Sequence, residues 1–287
     1  MSLNILNAIK NISDFKTNNM SEYFKDYATT QIKTVRQQME YYVKDAISGS
    51  FKSAKDKKPT DRYNGIFSYI GSKNKPPDMI IQGGDAVVVK TIKTYRGSIT
   101  INNYPPKDRI MWNDPWIVKN CREIDGGQWN SKDIFYATGW IERRKMKYLI
   151  FIQGSCFIPE EKVYNKKIQG LKKNIYEYLE SEGLEANRSI GLGKVNNMDP
   201  LGITNLRIKG VWRIKNPLKT FSDIFSYDKN KDFTLIGLML KNKFDSFPQK
   251  DIDALVNDNQ IEIEDVKIKN PNNPERKIDA KLITTSW

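Results

Sequence analysis

The stretch Pro76-Pro77-Asp78-Met79-Ile80-Ile81-Gln82-Gly83-Gly84-Asp85-Ala86-Val87-Val88-Val89-Lys90 decides how this chain is read. Met79 to Ile81 is a short apolar run, Gly83-Gly84 supplies the backbone freedom of a tight turn, and Asp85 to Ile92 is a second run rich in β-branched residues. A strand, a turn and a returning strand are expected, with Asp78 brought beside the middle of the second strand. Side chains alternate across a strand, so Ala86, Val88 and Lys90 share one face and Val87 and Val89 take the other. Asp85 falls on the face away from Lys90, and only a bulge would turn it inward. An acid and a lysine delivered to one place suit phosphate chemistry. Carboxylates hold a hard cation against a phosphodiester, while a lysine positions water and offsets phosphate charge.

Working outward, Leu3, Ile5, Leu6 and Ile9 recur at helical spacing over 3–12. A second helix is predicted from about Ser21 to Ile47, with Ser21 as N-cap and Ile32, Val35, Met39, Tyr42, Val43 and Ala46 on one face. Residues 52–60 read as a solvated loop. Further strands are expected at 133–141 and 147–153, and a helix over 160–180. Segment 203–215 reads as a strand or hairpin arm, and 232–241 as a short helix. A closing strand pair at 260–269 and 277–284 is split by the turn Asn270-Pro271-Asn272-Asn273-Pro274. With no repeat and no low-complexity linker, the pattern predicts one mixed α/β domain over 1–287.

Charge narrows the partner. Forty-seven Lys+Arg against 34 Asp+Glu leave a net charge of +13, which favours a polyanion, nucleic acid above all. The basic residues are spread through strand-like segments and form no single basic amphipathic helix, which argues against a membrane surface. No apolar run approaches the about 18 residues of a membrane span. The opening, Met1 to Met20, is polar without an apolar signal core, so a cytoplasmic location is expected. Cys121 and Cys156 match no zinc or redox spacing and are expected as buried thiols. The chain contains no histidine. That absence excludes Ser-His-Asp hydrolysis, HNH-type nuclease chemistry and His-ligated zinc. Hydrolysis would rest on carboxylates, lysine and a hard metal, with Mg²⁺ the expected cofactor.

Pro-Asp, a glycine turn and an acid-X-Lys strand resemble the signature of the PD-(D/E)XK nucleases. Stretches well outside it are similar to the NgoPII-type restriction endonucleases: Asn4 to Ile9, Glu40-Tyr41-Tyr42-Val43-Lys44-Asp45, Tyr69-Ile70-Gly71-Ser72, Asp199 to Thr204 running on to Leu206-Arg207-Ile208-Lys209-Gly210-Val211-Trp212, Asn270 to Pro274, and Ala280 to Ile283. The resemblance implies an α/β (α+β) fold, a mixed central β-sheet flanked by helices, with a catalytic core at about 20–155 and recognition elaborations at about 156–287. It implies Mg²⁺-dependent cutting of double-stranded DNA at a short, GGCC-like palindrome by a homodimer, with a cognate DNA methyltransferase as functional partner. It further implies that Asp78 binds metal, Lys90 positions water and Glu40 completes the metal environment. In one respect the chain departs from the pattern: the acid of acid-X-Lys would stand at 88, where this chain has Val88. Three explanations stay open at this point: Asp85 supplies the carboxylate, the chain is a naturally inactive relative, or valine is an inactivating substitution.

Residues 206–215 alternate, with Leu206, Ile208, Gly210, Trp212 and Ile214 on one face and Arg207, Lys209, Val211, Arg213 and Lys215 on the other. A basic outward face suits contacts to phosphates and base edges. Asn102, Asn103, Tyr104, Lys107 and Arg109 are further candidates for entering a groove, and Arg143, Arg144, Lys145 and Lys147 form a second basic cluster. Gly65-Ile66-Phe67 with Tyr69-Ile70-Gly71 evokes a GIY-YIG nuclease, but one intervening residue leaves no room for that fold's two strands.

Overall fold

The computed structural model describes residues 3–25, 27, 32, 34–71, 76–102, 104–184, 186–187 and 191–287. Helices α1 (Ile5–Phe15) and α2 (Met20–Lys25) open the chain. Asn4 caps α1 by accepting from the Leu6 amide, and Asn7 reaches back to the Asn4 amide. Helix α3 (Val35–Ser48) uses the same reciprocal device at Thr34 and Gln37 and stops at Gly49, whose φ of 67° is costly for a residue with a side chain. The single helix expected over 21–47 is therefore two. A capping box inside the apolar pattern is a start signal that periodicity passes over.

Next come α4 (Pro59–Tyr63), β1 (Phe67–Ile70), β2 (Met79–Ile81), β3 (Ala86–Ile92), β4 (Ile99–Asn102) and β5 (Arg109–Met111). After α5 (Lys119–Arg122) follow the hairpin β6 (Ser131–Glu142) and β7 (Lys145–Gln153), α6 (Gly154–Phe157) and the long α7 (Glu161–Ser181). Strands β8 (Ala186–Asn187), β9 (Gly193–Val195) and β10 (Leu206–Ile208) form a small antiparallel sheet, while β11 (Val211–Ile214) pairs with β4. The chain closes with α8 (Pro217–Thr220), β12 (Thr234–Leu240), α9 (Lys241–Asp245), α10 (Gln249–Val256) and the hairpin β13 (Glu262–Asn270) and β14 (Asn273–Ser286).

The main sheet runs β1-β2-β3-β6-β7-β12-β14-β13, with β5 added at the start of β6. Pairs β3–β6 and β7–β12 are parallel and the others antiparallel, so this is the mixed α/β sheet expected. Alternation sorts its side chains into two layers. Val87, Val89, Phe135, Leu149 and Phe151 meet α1 and α3 on one face. Ala86, Val88, Tyr136, Ile150 and Ile236 pack on the other with Ile99, Phe157 and Leu218. Each Val, Leu, Ile or Phe among them contributes about 1.5–3 kcal/mol of burial before chain entropy offsets it.

Segment 232–241 is the strand β12, not a helix. It lies between β7 and β14 with almost every residue buried, and a strand covered on both faces shows no alternation to separate it from a buried helix. Segment 203–215 is neither one strand nor one arm: the chain breaks at Lys209-Gly210 and divides β10 and β11 between two sheets. Both cysteines are buried free thiols. Among the described residues no helix is long and apolar enough to cross a membrane.

Candidate functional site

Strand β2 is three residues long and β3 seven, so β3 outruns its partner. Met79 pairs with Val87 and Ile80 with Ala86, a register whose continuation sets Asp78 opposite Val88. The Val89 amide, on the side where β2 has run out, is taken up by Asp78 Oδ2 at 2.7 Å. The other Asp78 oxygen meets Arg36 Nη2 at 3.3 Å. Arg36 belongs to α3, one turn before Glu40, whose Oε1 accepts from Lys44 Nζ at 2.7 Å.

Lys90 faces this group. Burial holds its ammonium below the ordinary 10.5, with Asp78 and Glu40 pulling it back up and Arg36 pushing it further down. Asp78 thus touches Arg36, and the charges of Asp78, Glu40 and Arg36 all act on Lys90 from nearby, beside the part of β3 that β2 leaves uncovered. Tyr104 joins them: burial, and then the Asp78 charge, raise its phenol above the ordinary 10. Sequence reasoning missed Arg36, whose available signal is its position four residues before Glu40 on the same helix.

Val88 stands between Asp78 and Lys90 and is only 3% exposed, packed with Tyr69, Ile80 and Ala86. No bulge turns Asp85 toward it. Asp85 Oδ1 instead binds Lys243 Nζ at 2.6 Å, which also meets Asp133 at 3.2 Å. Asp85 stands five positions before Lys90, a span of about 16 Å along an extended chain. Asp85 is therefore no substitute carboxylate for this site. Among the described residues, no three His, Cys, Asp or Glu side chains gather so as to hold a metal ion. Asp78 is engaged by an amide and a guanidinium, and Glu40 by an ammonium. That donor set does not fit Mg²⁺, which takes near-octahedral oxygen coordination anchored on carboxylates. What remains can grip a phosphate through Arg36 and Lys90, and a lysine with a lowered pKa can exchange its proton with a bound water.

The basic candidates divide. Arg207, Lys209, Arg213 and Lys215 are all exposed, with Ile214 buried behind them. Arg213 pairs with Thr100 and Val211 with Asn102, so β4 and β11 form a two-stranded ribbon carried directly behind β3. Asn103 lies outside the described residues. Lys107 is not on a groove-facing surface: it is 4% exposed, bound to Asp114 at 2.6 Å and Glu161 at 3.3 Å. The Tyr136 hydroxyl bonds both backbone groups of Lys107, fixing the chain inward after Pro105-Pro106. Arg109 is exposed at a separate cleft of about 820 Å³ lined also by Asp85, Lys132, Asp133 and Lys243. Arg143 and Arg144 form the exposed β6–β7 turn, both at positive φ.

The model of the NgoPII restriction endonuclease family matches residues 3–269. The chain is similar to the Type II restriction enzyme NgoPII of Neisseria gonorrhoeae, with 32% identity over 283 residues, covering 98% of this chain and 99% of that protein. No solved structure matches the chain.

Proposed function

This chain belongs to the NgoPII restriction endonuclease family, and on that premise we propose that it is a type II site-specific deoxyribonuclease whose hydrolytic step is impaired by Val88. It binds a short, GGCC-like palindrome in double-stranded DNA as a homodimer, in a cytoplasm where a cognate methyltransferase guards the same sequence. The observation that carries the reading is the nearness of Asp78, Glu40 and Arg36 to Lys90 on β3 in a chain of net charge +13. Lys90 and Arg36 hold the scissile phosphate, Asp78 and Glu40 orient them, and Lys90 moves a proton to or from the attacking water. The family resemblance implies Mg²⁺. A second carboxylate at 88, beside Asp78, is what the present donor set lacks.

A second reading, a DNA-binding relative that does not cleave at all, is favoured by the same valine. Plasmid incubated with Mg²⁺ and either this chain or Val88→Glu separates the two, with Val88→Gln as a control for the fold. Duplex binding is measured alongside in EDTA. The expected outcome is comparable binding by all three and discrete fragments from the glutamate variant alone, or far faster. If the glutamate variant binds duplex but cuts no better than the parent, the site assignment is wrong. If none binds duplex at low salt, the whole reading fails.

A further inference from the structure

The hairpin between β9 and β10 presents a surface that core packing does not account for. Its loop, 196–205, is wrapped around one carboxylate. Asp199 Oδ1 accepts from the Leu201 amide at 3.0 Å, and Oδ2 accepts from the Ile203 amide at 3.1 Å and the Thr204 amide at 2.7 Å. The Thr204 hydroxyl donates to the same oxygen. Two backbone bonds close the loop, Gly202 N to Asp199 O at 2.9 Å and Met198 N to Thr204 O at 3.0 Å. Gly202, at φ 68°, allows the reversal.

This fixed scaffold points apolar side chains at solvent. Leu201 is 81% exposed and Ile203 73%, with Met198 and Leu206 also exposed beside them. Grouped exposed aliphatic side chains on an ordered tip mark a contact surface, because a monomer gains nothing by fixing them in water. Charge says what they contact. Arg207 lies directly across from Lys194, a like-charge cross-strand pair. Among the described residues neither has an acidic partner, and Arg207 is exposed. Opposed like charges destabilise a hairpin unless an anion lies over them. The other face of β9–β10 is turned to α7, since a Cβ at Gly193 would touch Ile175 and Ile208. The charged face is therefore the free one.

We propose that Leu201 and Ile203 form an apolar wedge that enters a groove of duplex DNA and opens a base step, while Lys194 and Arg207 hold the flanking phosphates. Aliphatic wedges flanked by cations fit a partner that is apolar between its stacked bases and anionic along its rim. A second copy of this chain, itself strongly basic, fits the cations poorly. The proposal rests on the DNA-binding reading and adds a mode of deformation to it.

Opening a step unwinds the duplex, so the test is the linking number of a relaxed closed plasmid equilibrated with a metal-independent topoisomerase, the full chain and EDTA at low salt. The comparison is Leu201→Ser with Ile203→Ser, a change confined to exposed side chains that leaves the fold intact. The expected result is a linking-number shift with the parent chain and none with the double variant, although the variant still binds plasmid with the same salt slope. Arg207→Ala is expected to weaken binding and flatten that slope by about 1. An equal shift from parent and double variant, or plasmid binding by the parent without any shift, overturns the wedge and leaves DNA binding standing. Failure of the parent to bind plasmid at all overturns the underlying reading instead. A parent dimer that sediments as a monomer once Leu201 and Ile203 are replaced reassigns the tip to contact between copies and also overturns the wedge.

Discussion

Asp45 is a buried carboxylate whose removal strands a buried charge. Its carboxylate sits in α3 with no solvent exposure and accepts four hydrogen bonds: from Arg62 Nη1 at 2.6 Å and from the hydroxyls of Tyr27 at 2.6 Å, Tyr23 at 2.8 Å and Tyr63 at 2.9 Å. Arg62 is equally sealed, stacked on the Tyr27 and Tyr63 rings, and among the described residues its Nε and Nη2 have no hydrogen-bond partner. In Asp45→Ala the guanidinium becomes an uncompensated buried charge, which costs about 3–5 kcal/mol. The tyrosines add less, because Tyr27 and Tyr63 already lie 3.1 Å apart and can pair with each other. Against a typical total of about 5–15 kcal/mol, this is a large fraction of the stability. Urea unfolding followed by tryptophan fluorescence measures it directly, as a lower midpoint. The mechanism makes a second demand. Replacing both partners by apolar residues, Asp45→Leu with Arg62→Met, removes the stranded charge and is expected to recover at least about 2 kcal/mol relative to Asp45→Leu alone. A loss in Asp45→Ala below about 1 kcal/mol, the scale of an exposed ion pair, would refute the reasoning. So would a double replacement no better than the single one.

Lys90 gives a pH signature. Burial holds its pKa in the folded chain below the ordinary 10.5, so between those two values the unfolded chain binds the extra proton. Stability therefore rises with pH across that window. Urea midpoints from neutral pH toward 10.5 are expected to lose part of that rise in Lys90→Met, and an unchanged profile would place the ammonium in solvent. Arg213→Ala and Lys215→Ala, on or next to the exposed ribbon strand, are each expected to weaken DNA binding and reduce the log–log salt slope by about 1, read by titration at several salt concentrations. Burial pushes the Cys121 thiol up to about 11 and Cys156 higher still. Thiol reagents at pH 8 are thus expected to label neither cysteine until urea unfolds the chain, and rapid labelling of the native protein would contradict the burial.

The hairpin and its alternation were legible in the residues because strand geometry acts over two positions. Once Gly83-Gly84 reverses the chain, the faces of Asp85, Val87, Val88 and Lys90 follow. The same logic set Asp85 on the face away from Lys90 but left a bulge open; the unbroken β2–β3 register and the ion pair with Lys243 close that possibility. Capping chemistry was legible too, but Thr34 and Gln37 were passed over in favour of a longer apolar periodicity, and one helix was expected where there are two. Strand β12 was misjudged for the opposite reason, since full burial on both faces erases the period.

The sequence by itself determined the strand–turn–strand, the common destination of Asp78 and Lys90, the valine where a second acid is expected, the excess of positive charge and the absence of histidine. Each of these is a matter of residue identity or of geometry over a few positions. Only the tertiary structure decided that Arg36 reaches Asp78, that Lys107 is consumed by Asp114 and Glu161, that Lys243 meets Asp85, and that 206–215 divides between two sheets. A long charged side chain takes whichever opposite charge the packing brings near, and that choice is made by the sheet order and helix docking, which no local spacing records.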